Sequence, residues 1–218
     1  MKYTDIGRTI CLIGESGAGK STVAQILVEV YGYQCLSLSD QVREHASEQG
    51  IFNPSRKDLQ ILANQARKLD GTDYFARRGM LHMSPDVDLV VEGIRHLREY
   101  EHILNSRHGR FLTSGILACR DTRYARVLER ARPSDPIDYK QFVENDEREW
   151  GVARTEFSQN TEELMEMVDV ILFNDVSIDE LNEAVGSMLE MFGFTIKEEG
   201  IHPDPESKRE YKKGPERE

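Results

Sequence analysis

The chain has 218 residues, and 39 Asp and Glu against 28 Lys and Arg give it a net charge of −11. That length suits one domain with a core large enough to need no disulfides. The acidic balance argues against an extended nucleic-acid face, because phosphate contacts need clustered Lys and Arg. The three cysteines, Cys11, Cys35 and Cys119, sit in or beside apolar runs and read as buried free thiols of a reducing compartment. No run approaches the length of a membrane span, and the N-terminus has no secretory leader, so the expectation is a cytoplasmic protein without a membrane partner.

Residues 9–13 form a short apolar run that reads as a buried strand. Gly14-Glu15-Ser16-Gly17-Ala18-Gly19-Lys20-Ser21 follows directly and spells G-x-x-x-x-G-K-S, the phosphate-cradling P-loop. Behind it, Val23, Ala24, Ile26, Leu27 and Val30 share one helical face. Residues 33–38 read as a second strand, and Ser39 or Asp40 as the cap of a helix running toward Gly50. After the turn at Asn53-Pro54-Ser55, a helix carries Leu59, Leu62, Ala63, Ala66 and Leu69 and stops at Gly71. Another spans about 72–83. Residues 88–93 are a strong buried strand with Glu92 near its end, followed by a helix over 96–106. A fourth strand over 111–119 leads into a helix over 122–131. Pro133-Ser134-Asp135-Pro136 is a rigid polar connection to a charged helix over 139–150. Residues 168–173 give a fifth strand, and Ile178, Leu181, Val185, Met188, Leu189 and Phe192 line the last helix. The segment 195–218 is rich in charges of both signs and reads as a flexible tail.

Strands alternating with helices imply an α/β fold with a parallel sheet covered on both faces. Ligands of such sheets lie beyond the carboxyl ends of the strands. The P-loop, Asp40, Glu92 and the turn after Cys119 therefore belong to one rim. Backbone N–H groups of Gly14, Ser16, Gly17, Ala18, Gly19 and Thr22 and the positive helix end face an anion there. Lys20 is placed to reach the β- and γ-phosphates of ATP, and Ser21 to ligate Mg²⁺.

Asp40 and Arg43 lie one helical turn apart and can face the same cleft; the plainer alternative is a capping aspartate and a solvated arginine. Glu92 is a strand-end carboxylate suited to hold Mg²⁺ through water, and Arg95 points at an acceptor phosphate. A strand-end salt bridge is the alternative. Arg123, Arg126, Arg130 and Arg132 lie on or after one helix, the first three on one face. They read as clamps on the transferred phosphoryl group or as a solvated basic face. The 133–136 connection and the charged helix after it suit a lid, and Arg148 on that helix is a further candidate for the clamp. Arg67, Arg77 and Arg78 each suit the acceptor but singly read as surface charges. The six histidines lack metal-ligand spacing.

In this order the motifs resemble those of P-loop nucleotide kinases, in the group related to adenylate kinase, deoxynucleoside monophosphate kinase and dephospho-CoA kinase. The resemblance is carried by the P-loop, Ser37-Leu38-Ser39-Asp40-Gln41-Val42-Arg43 and Leu89-Val90-Val91-Glu92-Gly93-Ile94-Arg95. Arg126-Val127-Leu128-Glu129-Arg130, Asp146-Glu147-Arg148-Glu149 and Val170-Ile171-Leu172-Phe173-Asn174-Asp175 complete it. It implies a kinase domain over 1–194: a five-stranded parallel sheet, an acceptor-binding helical insertion near 39–84 and a lid near 131–160. It implies Arg43 and Arg95 on the acceptor's phosphate, Arg126 and Arg130 on the donor phosphates, and Asn174 near adenine. Glu92 stands where relatives commonly have aspartate, and Asn145 where they often have arginine.

The expected activity is transfer of the γ-phosphate of ATP, with Mg²⁺, to a small-molecule nucleotide, most simply a (deoxy)nucleoside monophosphate, by a monomer or homodimer. The catalytic set is Lys20, Asp40, Arg126 and Arg130, with Asp40, Arg43, Arg67 and Arg95 on the acceptor. A hydroxyl-directed kinase, of dephospho-CoA or a modified nucleoside, is the alternative and makes Asp40 the base. A nucleotide-dependent switch is the third reading; the guanine motif N-K-x-D of a GTPase is lacking.

Overall fold

The computed structural model describes residues 7–132, 135, 138–151, 156–157 and 159–194. The proline-bearing connection at 133–136, apart from Asp135, and the 195–218 tail lie outside the described residues.

Five strands form one parallel sheet: β1 (Thr9–Ile13), β2 (Gln34–Ser37), β3 (Leu89–Glu92), β4 (Phe111–Leu117) and β5 (Val170–Phe173). Their spatial order is β2-β3-β1-β4-β5, so β1 and its following loop sit at the centre. Register runs Ile10 beside Val90 on one side and beside Leu112 on the other. The expected five-stranded parallel sheet is therefore present.

Successive residues of a strand point to opposite faces, and β1 uses both. Ile10 and Leu12 enter one apolar layer with α1 (Lys20–Glu29) and α9 (Ile178–Met191), through Val23, Leu27, Leu181, Val185 and Leu189. Cys11 and Ile13 enter the other with α4 (Tyr74–Met80), α5 (Leu97–Ser106) and α8 (Thr161–Met165), through Ala76, Tyr100, Ile103 and Leu164. Between β2 and β3 the chain adds α2 (Leu38–Glu48) and α3 (Arg56–Asp70) before α4. These three helices share a small core of Ala63, Ala66 and Phe75, with Val42 packed against it. Between β4 and α8 run α6 (Arg120–Arg130) and α7 (Tyr139–Trp150).

Two expectations are corrected. The cap of α2 is Ser37, whose hydroxyl accepts from the Asp40 N–H at 3.3 Å, so neither Ser39 nor Asp40 caps the helix. Asp40 is freed to point outward from the first turn. Of the cysteines only Cys11 is buried; Cys35 and Cys119 are exposed. Cys35 lies on an edge strand that is covered by only one neighbour, and Cys119 sits past the end of β4. Helix α8 lies in a stretch to which the sequence reading assigns no element; Asn160 caps it by accepting from the Glu163 N–H at 3.2 Å.

Candidate functional site

The central loop between β1 and α1 curls under the constraints its glycines satisfy. Gly14 and Gly19 have φ of 148° and 100°, in the region that favours glycine. A side chain at Gly14 would run into the Ile116 carbonyl, and one at Gly19 into the Asn174 amide. Lys20 opens α1 and is buried; its Nζ donates to the carbonyls of Gly14 and Glu15, each at 2.7 Å. Burial, then the nearby charge of Arg95, pushes the Lys20 ammonium well below its ordinary pKa, against the pull of Glu92. Ser21 Oγ donates to Glu92 Oε2 at 2.8 Å. The expected pair of hydroxyl and strand-end carboxylate is thus in contact across the tips of α1 and β3.

Two arginines flank the loop. Arg126 Nη2 donates to the Asn174 carbonyl at 2.8 Å, and Asn174 Nδ2 donates to Ala18 O at 2.8 Å. Arg126 Nη1 is buried and has no hydrogen-bond partner among the described residues. Arg130 donates to both Asp135 oxygens, at 2.8 and 2.7 Å, and to Ser16 Oγ at 3.2 Å. Burial alone would raise Asp135, but the Arg130 bonds and charge hold its carboxyl below the usual range. Arg123 is a correction. It does not face the cleft; it is buried behind the loop, forked onto Asp146 and bonded to Glu15 and the Ser16 carbonyl. It fixes the loop's shape from outside.

The other end of the cleft lies between α2, α3 and β3. Asp40 and Arg43 sit at its exposed edge and pair at 2.6 Å. Arg95 Nη1 donates to Glu149 Oε2 at 3.0 Å, and Arg56 pairs with Glu149 Oε1. Burial first, and for Arg56 the charge of Arg95 next, pushes Arg56 down to about 9; burial likewise pushes Arg95 down to about 10, against the nearby Glu92 and Glu99. Arg67 lines this end too, but it is buried and held by Glu99 through Nε and Nη2 at 3.2 and 2.9 Å. The reading of Arg67 as a surface charge is corrected. Arg77 and Arg78 do lie outside the cleft, paired with Asp73 and Glu48. Arg148 ties α7 to α3 through Gln60 at 3.4 Å.

These parts enclose one cavity of about 530 Å³. Its lining carries eight Lys and Arg side chains against five carboxylates. A chain that is acidic overall thus has a cationic cleft, which draws anions in. Ser16, Gly17, Gly19, Lys20, Ser21, Thr22, Asp40, Arg43, Arg67, Glu92, Arg95, Arg126 and Arg130 all line it. Gly14, Ala18 and Asn174 brace the loop from behind the lining. Arg56 and Glu149 line the cleft although the sequence reading gives neither a role: one follows a capping serine, the other closes a charged helix, and only the fold brings them together.

The donor set at the P-loop end of the cleft fits a nucleoside triphosphate. Arg126 Nη1 lacks an acceptor among the described residues, and Lys20 Nζ, now on the Gly14 and Glu15 carbonyls, and the loop N–H groups are donors of the kind phosphate oxygens accept from. Mg²⁺ fits the Ser21–Glu92 pair, since both offer the oxygen ligands a hard cation takes and phosphates and water supply the rest. Among the described residues no group of three or more His, Cys, Asp or Glu is placed to hold a metal. No helix among them is long and apolar enough to cross a membrane.

Residues 13–140 match the family described as the AAA domain. A UPF0200 protein of Pyrobaculum aerophilum is 31% identical over 183 residues, covering 83% of this chain and 95% of its own. A UPF0200 protein of Thermoplasma volcanium is 29% identical over 172 residues, covering 78% and 89%. Among solved structures, shikimate kinase from Acinetobacter baumannii in complex with shikimate superposes with a TM-score of 0.52 at 12% identity, covering 89% of this chain and 98% of that one. At that identity the likeness is one of fold.

Proposed function

The chain belongs to the AAA domain family and to the UPF0200 proteins and has the P-loop kinase fold, and on that premise we propose that it is an ATP-dependent phosphotransferase acting on a nucleotide. The observation that carries this reading is the convergence of Lys20, the Ser21–Glu92 pair and the unpartnered Arg126 donor on one end of a cationic cleft. The other end offers room and further arginines for a second anion.

ATP would lie with its phosphates in the loop. Lys20 would exchange the Gly14 and Glu15 carbonyls for phosphate oxygens. Ser21 and Glu92 would hold Mg²⁺, which supplies neutralisation of the β- and γ-phosphate charge when bound. Arg126 Nη1 would donate to the donor phosphates, and Arg130 would join by releasing Asp135. Asn174, which holds the loop through Ala18, would stand near adenine. Arg43 and Arg95 would orient the acceptor from α2 and the end of β3. The helices between β2 and β3 would serve as the acceptor-binding insertion, and α7 as part of the lid.

A (deoxy)nucleoside monophosphate suits this arrangement best. Its phosphate is already anionic near neutral pH, so positioning and charge neutralisation do most of the work. A hydroxyl acceptor is the second reading, favoured by Asp40 standing in the cleft lining; Asp40 would then take the proton. The test is a panel of nucleoside monophosphates and dephospho-CoA with ATP and Mg²⁺, read as ADP released, on the wild type and Asp40→Asn. With a phosphate acceptor, Asp40→Asn changes KM and leaves kcat nearly intact. A loss of about 10²–10⁴-fold in kcat identifies the hydroxyl reading. Hydrolysis of ATP that no acceptor stimulates contradicts both.

A further inference from the structure

Glu149 belongs to α7, yet its side chain is only 1% exposed and lies inside the cleft, spanning two guanidinium groups that come from different elements. Arg56 stands in the first turn of α3, and Arg95 follows β3. Each is largely buried, with 17% and 13% of its side chain exposed. Two buried cations side by side repel each other, and a single carboxylate from a third element offsets them.

The fit between the three is incomplete in one telling respect. Arg56 Nε is buried and has no hydrogen-bond partner among the described residues. A carboxylate has two oxygens, and both Glu149 oxygens are already engaged. A phosphate group presents three terminal oxygens and carries more charge, so it can use the leftover donor as well. The pocket is therefore better matched to a phosphate than to the carboxylate that fills it.

We propose that Arg56 and Arg95 form the subsite for the acceptor's phosphate, that Glu149 is an internal anion closing this subsite in the free protein, and that acceptor binding displaces Glu149 and thereby releases the end of α7. Arg56 becomes a substrate-binding residue. Displacement exchanges one anion for another, so the two guanidinium groups never face each other bare. Glu149 also sets a threshold: a ligand too weakly charged to replace a carboxylate leaves α7 where it is. The inference rests on the phosphotransferase reading for the identity of the displacing group only.

The test needs neither ATP nor turnover, so it fails separately from that reading. Calorimetry compares the dissociation constant of inorganic phosphate for the wild type, Glu149→Gln, and Glu149→Gln with Arg56→Gln. Phosphate binding at the P-loop is common to all three; only the Arg56 subsite differs. Removing the internal competitor tightens binding by about tenfold or more, and the added Arg56→Gln abolishes that gain. Glu149→Asp, too short to touch both arginines, gives a smaller gain of the same sign and serves where the glutamine variant does not fold. Binding no tighter in either Glu149 variant, or a gain that survives Arg56→Gln, overturns the proposal. A Glu149→Gln protein that is merely less stable, with unchanged phosphate affinity, marks Glu149 as an anchor of α7 and likewise overturns it.

Discussion

At the level of single residues the decisive group is Lys20. It is buried among cations, with two carbonyls as its acceptors, and its pKa lies well below the ordinary lysine value, mainly through burial. A triphosphate favours the charged form and raises that pKa on binding. The linkage has one sign: nucleotide affinity is flat below the depressed free-state pKa and falls as pH rises through it. Calorimetric titrations of an ATP analogue in buffers of different ionisation enthalpy should show net proton uptake at pH between the depressed and the ordinary lysine value; proton release would contradict this placement of Lys20. The letters of the P-loop announce Lys20 and Ser21, because that motif is contiguous and its geometry is local. Arg56 is not legible in the same way. A lone arginine after a capping serine looks like any helix start, and its role depends on Arg95 and Glu149, which lie far away in sequence. Arg123, Arg126 and Arg130 show the same limit. Spacing places them on one face, but only the contact with Asp146 on α7 turns Arg123 away from the cleft.

Among the elements, the pair α6 and α7 governs the loop from behind. Arg123 on α6 and Asp146 on α7 are each 3% exposed and joined by two hydrogen bonds, while Arg123 also holds the Ser16 carbonyl. Asp146→Ala leaves a buried guanidinium with Glu15 alone as its carboxylate, which costs about 3 kcal/mol of stability. It also loosens the Ser16 end of the P-loop, so urea denaturation and ATP-analogue binding should both weaken. A stability loss under about 1 kcal/mol would show that the clasp behaves as a surface pair. The central strands β1, β3 and β4 are legible because a short apolar run bounded by turn residues buries both its faces, as a central strand of a parallel sheet must. Helix α8 is not, since five residues hold too few periods to be recognised. The exposure of Cys35 is hidden for a different reason: an edge strand and a central strand share one local pattern, and only the sheet order separates them.

For the molecule as a unit, the order β2-β3-β1-β4-β5 puts the P-loop between the ends of β3 and β4. Alternating strands and helices imply a parallel sheet, but local patterns carry no strand order; that emerges only when the chain is folded. The same order explains how a chain with net charge −11 assembles a cationic cleft: arginines from α2, α3, α6 and the end of β3 meet at one rim, and the acidic excess lies outside the cleft lining. On this reading the loop after β1 grips a triphosphate, and the surrounding arginines pass its terminal group to a second anion in the same cleft. Incubation of the protein with Mg²⁺, γ-labelled ATP and the nucleotide panel, with Lys20→Ala beside the wild type, puts that transfer to trial. Label should appear on an acceptor nucleotide with the wild type and fall by about 10²-fold or more with Lys20→Ala, whose fold is retained. Label recovered only as inorganic phosphate, or equal transfer by the two proteins, would refute it.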